Sequence, residues 1–251
     1  MINLLINGAN GRMGKKVYEA SLLSNKLKAV CGVDLIESKS NPDYPVYSSF
    51  DNVTEKIDVI IDFSAPASLD GILKFATKNC IPVVLCATGY TQKDIEKIQL
   101  ASSKIAVFRS ANMSLGVNVL IDLVKKAALA LDGLDIEIIE KHHNQKVDSP
   151  SGTALMLADA VKEVLPEKFY IYGREGQVGK RNKDEIGIHA IRGGNIVGDH
   201  DVLFAGVNET VTLSHQATDR AVFANGAIKA AEYISQKTSG IYNMSDLING
   251  K

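Results

Sequence analysis

A segment in the second half of the chain concentrates side chains that could carry out chemistry. Residues 140–156 have the sequence EKHHNQKVDSPSGTALM, in which His142, His143 and Lys146 precede a Ser-Gly-Thr turn and an apolar stretch. Successive side chains of a strand point to opposite faces, so the adjacent histidines would diverge and make a poor metal pair. We therefore expect no metal site among them.

The lysine could act with the first histidine only if the chain bends between them. In a continuous strand, His142 and Lys146 would share a face but lie ~13 Å apart at ~3.3 Å per residue. Asn144 and Gln145 between them tolerate a turn. A bend there would bring the imidazole and the ammonium group together.

The DSPSGTA stretch that follows predicts a loop ending in a helix. Ser151 is suited to cap that helix, and the amides of Gly152, Thr153 and Ala154 would face outward. Histidine, lysine and a helix N-terminus all favour an anion, which indicates a pocket for a small carboxylate beside a proton donor. A substrate that accepts hydride would suit such a pocket.

The same residues also have a structural interpretation. His142 and His143 could be strand residues with satisfied hydrogen bonds, and Lys146 could be solvated. Glu140 could orient a histidine, or it could be a structural residue near a solvent edge of its sheet.

Glycines near the N-terminus indicate a nucleotide site. The segment NGANGRMG places Gly8, Gly11 and Gly14 directly after a predicted strand and at the start of a predicted helix. Glycine lets the backbone turn tightly and approach a pyrophosphate, whose charge the helix amides receive. A plain turn before a helix is the alternative interpretation.

An acidic residue at the end of the second predicted strand bears on the type of cofactor. Asp34 lies 20 residues after Gly14, where a carboxylate would accept hydrogen bonds from an adenosine ribose. That position favours NADH, although Asp34 could also be a solvated carboxylate. Arg12 and Lys39 could still contact the 2′-phosphate of NADPH.

The order of predicted elements indicates an α/β fold. The first half alternates β-rich runs with helical patterns, which predicts a Rossmann-type parallel sheet wrapped by helices. The FSAP and CATG segments follow two of its strands at the carboxyl edge, where such sheets bind ligands. The polar stretch from Leu35 to Pro45 is predicted to be a surface loop.

The second half predicts a smaller α+β domain. A long helix spans Met113 to Leu131, and it precedes the strand DIEIIEKHH, a second helix and three strand-like runs in an open mixed or antiparallel sheet. We place the dinucleotide-binding domain at residues 1–112, completed by a C-terminal helix at 219–251. The substrate-binding and oligomerisation domain then spans residues 113–218.

Composition excludes several classes of protein. The 251 residues are 45% hydrophobic and 23% charged, with a net charge of −1, which argues against a general nucleic-acid binder. We find neither a membrane-length apolar run nor a secretion signal, so we expect a cytoplasmic protein. The three cysteines, Cys31, Cys80 and Cys86, are predicted to be small buried hydrophobes.

A cluster of positive charge surrounds a Gly-rich segment in the second half. It could form a mobile lid over a site, or it could simply be solvated. The basic residues are Arg174, Lys180, Arg181, Lys183 and Arg192.

The motif E-x-H-H-x-x-K-x-D-S-P-S-G-T-A, from Glu140 to Ala154, resembles the signature of the 4-hydroxy-tetrahydrodipicolinate reductase family, also called dihydrodipicolinate reductase. The segments GANGRMG, DFS, ATG, ANMSLGVN, IRGGNIVGDH and ATDRAVFANGA resemble further family blocks in order. The resemblance spans nearly the whole chain. It implies nicotinamide-dependent reduction of a cyclic dicarboxylate imine to tetrahydrodipicolinate, on the diaminopimelate route to lysine.

The resemblance also implies roles for individual residues. His142 corresponds to the general acid, and Lys146 to the lysine that binds substrate and stabilises charge. His143, Gly152 and Thr153 correspond to further substrate-binding residues. The implied cofactor-binding residues are Gly8, Asn10, Gly11, Arg12, Met13, Gly14, Asp34, Phe63, Cys86, Ala87, Thr88, Ala111, Asn112 and Met113.

Two positions depart from the family pattern. Members with marked NADPH use commonly have an arginine after the acidic strand-end residue, where this chain has Leu35. The usual GTTG turn is CATG here, so a threonine contact at Ala87 is missing while amide contacts remain open. The first departure supports NADH, with NADPH as the alternative cofactor.

Rival interpretations and the assembly remain open to test. Another two-domain amino-acid-pathway dehydrogenase, such as an aspartate or homoserine dehydrogenase, would not need HHNQKVDSPSGTA. A sensor that binds NADH without turnover is disfavoured by His142 and Lys146. The family commonly forms homotetramers through the substrate-domain sheet, and the segment from Ile186 to Ala217 could provide that interface.

Overall fold

The computed structural model describes residues 1–35 and 43–250, which fold into two compact units. The first unit comprises Met1–Leu115 and Arg220–Lys251, and the second comprises Gly116–Asp219. Most of the predicted loop at Leu35–Pro45 lies outside the described residues. Lys39, the possible contact to the 2′-phosphate of NADPH, lies outside them as well.

The first unit is built on a seven-stranded parallel sheet in the order β12-β6-β5-β4-β1-β2-β3. From β3 to β6 this is the doubly wound order of dinucleotide-binding sheets, with β12 added beyond β6. The predicted Rossmann-type sheet is therefore confirmed. The strands are β1 (Ile2–Asn7), β2 (Leu27–Val33), β3 (Val46–Tyr47), β4 (Val59–Asp62), β5 (Val83–Leu85), β6 (Ala106–Arg109) and β12 (Gly240–Tyr242).

Helices cover both faces of this sheet. Leu4 and Ile6 of β1 pack into one apolar core and Leu5 into the other, which explains why the central strands are continuously apolar. The helices of this unit are α1 (Arg12–Leu22), α2 (Leu69–Asn79), α3 (Gln92–Ser102), α6 (Ala221–Ile234) and α7 (Met244–Asn249). Short 3₁₀ turns occur at Phe50–Asn52 and Pro66–Ser68.

The second unit contains a five-stranded mixed sheet in the order β11-β10-β7-β9-β8. The β7-β9 and β8-β9 pairs are parallel, and the β7-β10 and β10-β11 pairs are antiparallel, which confirms the predicted mixed sheet. Helices α4 (Leu115–Ala130) and α5 (Gly152–Val164) contribute to its apolar core. The strands are β7 (Asp135–His142), β8 (Phe169–Tyr172), β9 (Glu185–Arg192), β10 (Gly198–Ala205) and β11 (Thr210–Ala217).

The C-terminal segment differs from the single helix predicted at 219–251. Helix α6 ends at Ile234, and the chain then adds β12 to the sheet beside β6. Gly240 has a φ of +113°, a conformation that favours glycine and that a continuing helix could not contain. Asn243 then caps α7 through a reciprocal capping box with Asp246.

The expectation that all three cysteines are buried is wrong for one of them. Cys31 is buried and Cys86 is half-buried, but Cys80 is exposed. Cys80 ends α2 with a φ of +54°, so a chain-reversal position overrides its apolar character. Within the described ranges, the helices do not combine the length and apolarity needed to cross a membrane.

Close packing of α6 generates a stability prediction. A Cβ added to Gly226 would overlap the carbonyl oxygen of Met113, whereas one added to Gly71 in α2 would lie 3.5 Å from the ring of Phe50. We expect Gly226→Ala to lower the free energy of unfolding by about 1–3 kcal/mol. The control Gly71→Ala should raise it by up to about 1 kcal/mol through helix propensity. Urea denaturation of both variants tests this, and equal stabilities would contradict it.

Candidate functional site

Strand β7 delivers the polar groups of the candidate site. Its buried face presents Ile136 and Ile138 to the core and then Glu140 and His142, so the apolar row becomes polar at the strand's carboxyl end. Because β7 lies between β10 and β9, Glu140 is buried at the centre of the sheet. The alternative that placed it near a solvent edge is wrong.

The Glu140 carboxylate joins three elements through four hydrogen bonds. One oxygen contacts His142 Nδ1 at 2.6 Å and accepts from Arg192 Nη1 at 2.7 Å. The other accepts from Arg192 Nη2 at 2.8 Å and from the Ser151 amide at 3.0 Å. Burial alone would raise the pKa of Glu140, but the bonds from Arg192, His142 and Ser151 lower it below its usual value. The carboxylate is therefore ionised.

The predicted bend after the histidines is present. Strand β7 ends at His142, and the Lys146 amide donates to the His143 carbonyl at 3.2 Å, which closes a turn over Asn144 and Gln145. His143 is half-buried at the start of this turn. The Lys146 side chain is only 18% exposed, and its ammonium group lies 2.8 Å from both carboxylate oxygens of Asp148. Lys146 is thus paired within its own turn rather than solvated.

Helix α5 begins where the sequence predicted it. Ser151 is the N-cap, with its hydroxyl accepting from the Ala154 amide at 3.1 Å. Gly152 is exposed and a Cβ there would meet no atom within 4 Å, while Thr153 is half-buried. The first turn of the helix therefore presents amides to an approaching anion.

A third histidine, which the sequence analysis did not single out, completes this cluster. His200 of β10 lies opposite Glu140 in the sheet register, and its Nε2 is 2.9 Å from the Ser151 hydroxyl. The His200 and His142 rings are 5.2 Å apart between centroids. Burial, followed by the proximity of His142, lowers the pKa of His200 to about 4, so it is neutral at neutral pH. His200 is the last residue of the segment IRGGNIVGDH, but no spacing in the sequence indicated a role for it.

Most of the basic residues that were considered for a lid are paired with carboxylates in the structure. Arg174 and Arg181 bind Glu137 on the opposite face of β7, and Arg192 binds Glu140. Burial would raise the pKa of Glu137, but hydrogen bonds from Arg174, His189 and Arg181 lower it to about 2. These three arginines therefore brace the sheet rather than being free in solvent.

The first unit forms the predicted glycine loop. Gly8 has a φ of +78°, and the Gly11 amide donates to the Gly8 carbonyl at 3.1 Å. A side chain at Gly14 would overlap the Gly8 carbonyl, so α1 can approach β1 only with glycine there. One oxygen of Asp34 accepts from the Asn10 amide at 2.8 Å, so this carboxylate also braces the loop.

A cleft of about 820 Å³ opens at the carboxyl ends of β1, β2 and β4. Of the predicted cofactor-binding residues, Gly8, Gly11, Asp34 and Phe63 line it. Asn10, Arg12, Met13 and Gly14 adjoin them in the loop and the start of α1. The Cys86–Thr88 and Ala111–Met113 segments follow β5 and β6 at the same edge, outside the lining of this cleft.

A buried carboxylate that the sequence analysis missed supports the floor of this cleft. Asp62 accepts hydrogen bonds from the Asn7 side chain at 2.8 Å and from the amide and hydroxyl of Ser64. Burial raises the pKa of Asp62, although these bonds oppose the shift. The network holds the loop after β4, which carries Phe63, against the end of β1.

Comparison with known proteins identifies relatives over the full length. Residues 2–113 match the family model "Dihydrodipicolinate reductase, N-terminus" and residues 116–248 match "Dihydrodipicolinate reductase, C-terminus". The chain is 51% identical to 4-hydroxy-tetrahydrodipicolinate reductase of Caldanaerobacter subterraneus subsp. tengcongensis, over 99% of this chain and 98% of the relative. It is 49% identical to the enzyme of that name from Clostridium tetani, with the same coverage.

A solved structure shares the fold. The dipicolinate-bound dihydrodipicolinate reductase from Paenisporosarcina sp. TG-14 superposes with a TM-score of 0.81 at 24% identity. The match covers 97% of each chain.

The N-cap of α5 can be tested by stability. Ser151→Ala removes the cap and the partner of the buried His200, so we expect the free energy of unfolding to fall by about 2 kcal/mol. Thr91→Ala is the matched control, because Thr91 caps α3 in an exposed capping box. It should cost about 1 kcal/mol. Chemical denaturation would contradict the inference if Ser151→Ala were the milder change.

Proposed function

The chain belongs to the dihydrodipicolinate reductase family, and we propose that the cluster around His142 is where its reaction takes place. The protein reduces 4-hydroxy-tetrahydrodipicolinate to tetrahydrodipicolinate with a pyridine nucleotide, in the diaminopimelate route to lysine. The observation that carries the site assignment is the Glu140 carboxylate, which binds both His142 and the N-cap of α5. A proton donor and an anion-binding helix end are thereby held in one hydrogen-bonded cluster.

The residues of this cluster have complementary roles toward a dicarboxylate. Lys146 and the amides of Gly152 and Thr153 bind carboxylate oxygens, and His143 adds a polar contact. Elimination of the substrate's hydroxyl together with a neighbouring hydrogen, as water, leaves a conjugated imine. One hydride then adds to this conjugated system, and one proton neutralises the negative charge that results. His142 supplies the proton from Nε2, since Nδ1 is engaged by Glu140. Lys146 stabilises the negative charge that develops before protonation.

The first unit fits a dinucleotide. The close approach of α1 to β1 at Gly14 and the amides of the glycine loop suit a pyrophosphate, and the adjoining cleft has room for a nucleoside. When bound, the reduced nicotinamide supplies the hydride. We assign dinucleotide binding to residues 1–112 with 219–251, and substrate binding and oligomerisation to residues 113–218.

We further propose that NADH is preferred over NADPH. The oxygens of Asp34 hold the amides of Asn10 and Leu35 and keep lone pairs for ribose hydroxyls. The same negative charge opposes a 2′-phosphate. The neighbouring Leu35 is 94% exposed and offers no cation.

The assembly and cellular location are also proposals. The face of the second-unit sheet opposite α5 carries polar side chains such as Glu137 and Asp201 beside apolar ones such as Ile139 and Leu203, and a homotetramer would form through this sheet, including the segment from Ile186 to Ala217. The biosynthetic role of the named relatives supports a cytoplasmic location.

The role of Lys146 can be tested against a neighbouring lysine. We expect Lys146→Ala to lower kcat/KM by at least about 100-fold, because it removes a charge-assisted contact and stabilisation of developing charge. Lys141→Ala is the control, since Lys141 lies on β7 but is paired with Asp201. The measurement is NADH oxidation with freshly prepared substrate, alongside NADH binding by fluorescence. Full activity of Lys146→Ala would overturn the assignment, and binding without turnover by the wild type would indicate a sensor.

Cofactor preference can be tested by adding one cation. Leu35→Arg keeps Asp34 and supplies a guanidinium for a 2′-phosphate, so we expect KM for NADPH to fall about tenfold with little change for NADH. Leu35→Gln is the uncharged control. Equal kcat/KM for NADH and NADPH in the wild type would contradict the proposed preference.

A further inference from the structure

Glu140 is a buried carboxylate whose hydrogen bonds join two strands and a helix. Its four donors come from His142 on its own strand, from both terminal nitrogens of Arg192 on β9 and from the first residue of the α5 cap. The Arg192 guanidinium also donates to the Asp148 carbonyl at 2.8 Å. Asp148 is the residue whose side chain pairs with Lys146. The Glu140 carboxylate thus links the His142 ring to Arg192, which also contacts the loop that carries Asp148.

We propose that Glu140 and Arg192 are positioning residues that fix the tautomer of His142 and set the charge that faces its ring. The proposal rests on the proposed role of His142 as proton donor. Glu140 accepts the Nδ1 proton at 2.6 Å, so the neutral ring has its lone pair on Nε2. When Nε2 is protonated, the imidazolium lies against the negative charge of Glu140, which stabilises it.

Arg192 has a second effect with the opposite sign. Its two hydrogen bonds neutralise part of the Glu140 charge and prevent the carboxylate from taking the histidine proton itself. Glu140 therefore places a negative charge against the His142 ring, while Arg192 reduces that charge.

The other titratable groups around His142 do not supply the negative charge that Glu140 places against the ring. His200 faces the ring from β10, and its low pKa keeps it neutral over the working range. His215 lies beyond it on β11. Lys146 lies in the turn after β7, and its charge is balanced by Asp148. The carboxylate in contact with the ring is that of Glu140.

Strand β7 supplies a matched control on its other face. Glu137 likewise binds a histidine, His189 at 2.8 Å, and two arginines, Arg174 and Arg181. Glu137→Gln therefore removes a comparable ion pair from the same strand without altering the groups around His142. Glu137 is half-buried, and the effect on stability of losing an arginine-paired carboxylate from this sheet would appear in both variants.

The test uses paired substitutions with shifts of opposite sign. Ring titration of His142 by ¹⁵N NMR and the pH dependence of kcat are measured for the full-length wild type and for Glu140→Gln, Arg192→Gln and Glu137→Gln. Removing the carboxylate should lower the titration midpoint of His142 by about one pH unit or more, because the charged ring loses its counter-ion. Removing the arginine should raise the midpoint, because the whole negative charge of the Glu140 carboxylate then acts on the ring. Glu137→Gln should leave it unchanged.

The rate profile should follow the titration. Activity requires protonated His142, so it falls as pH rises through the midpoint, and the alkaline limb should move to lower pH in Glu140→Gln and to higher pH in Arg192→Gln. We expect kcat of Glu140→Gln to drop at least about tenfold at pH 8, with KM for NADH unchanged. Glu140→Asp, which keeps the charge, should return the limb toward its original position.

Each outcome separates this inference from the proposed function. An NMR midpoint that is the same in Glu140→Gln, Arg192→Gln and the wild type overturns the positioning role. Opposite NMR shifts without movement of the rate profile uphold the positioning role and remove His142 as the proton donor. If Glu140→Gln fails to fold, the upward shift in Arg192→Gln still decides the matter, since a merely structural arginine would not produce it.

Discussion

The burial of one negative charge organises the second unit. An ionised carboxylate inside a sheet is costly unless donors surround it, and Glu140 meets that requirement with four. The donors belong to the end of β7, the end of β9 and the start of α5. Because β7 and β9 are parallel and His142 is in register with Arg192, both strands deliver their polar residues to the same edge. An antiparallel β9 would direct its carboxyl end away from this edge.

The first unit also gathers its polar residues at the carboxyl edge of a parallel sheet. Its parallel strands end at one edge, where the glycine loop, Asp34 and the segment after β4 meet around a cleft. A buried carboxylate again lies beneath the loops, and Asp62 is held by Asn7 and Ser64 rather than by an arginine. Neutral donors leave the pKa of Asp62 raised, whereas the guanidinium lowers that of Glu140. The two carboxylates thus fix loops with different electrostatic consequences.

Local signals made much of this structure predictable. The glycine spacing predicted the first loop, the turn-forming pair Asn144–Gln145 predicted the bend, and Ser151 predicted a helix cap, since each depends on neighbours within a few residues. The Glu140–Arg192 pair joins residues 52 positions apart, and its geometry depends on strand order, which no local pattern encodes.

The strands that escaped prediction have a similar explanation. Strand β3 has two residues, β12 has three and β8 has four, and all three lie at sheet edges where pairing depends on the neighbouring strand rather than on apolar periodicity. His200 was assigned no role because its contacts, the Ser151 hydroxyl 49 positions away and the His142 ring, come from other elements.

The pairing of Lys146 with Asp148 bears on how a dicarboxylate would be selected. Asp148 is 64% exposed, and an ion pair to so exposed a carboxylate contributes little, on the order of 1 kcal/mol or less. A substrate carboxylate that binds Lys146 therefore replaces one solvated anion with another, and the exchange alone gives little affinity. Under the proposed assignment, discrimination then comes from the second carboxylate, at the α5 amides that Ser151 and Glu140 hold in place. A monocarboxylate would satisfy only one of the two proposed positions and would leave the other empty.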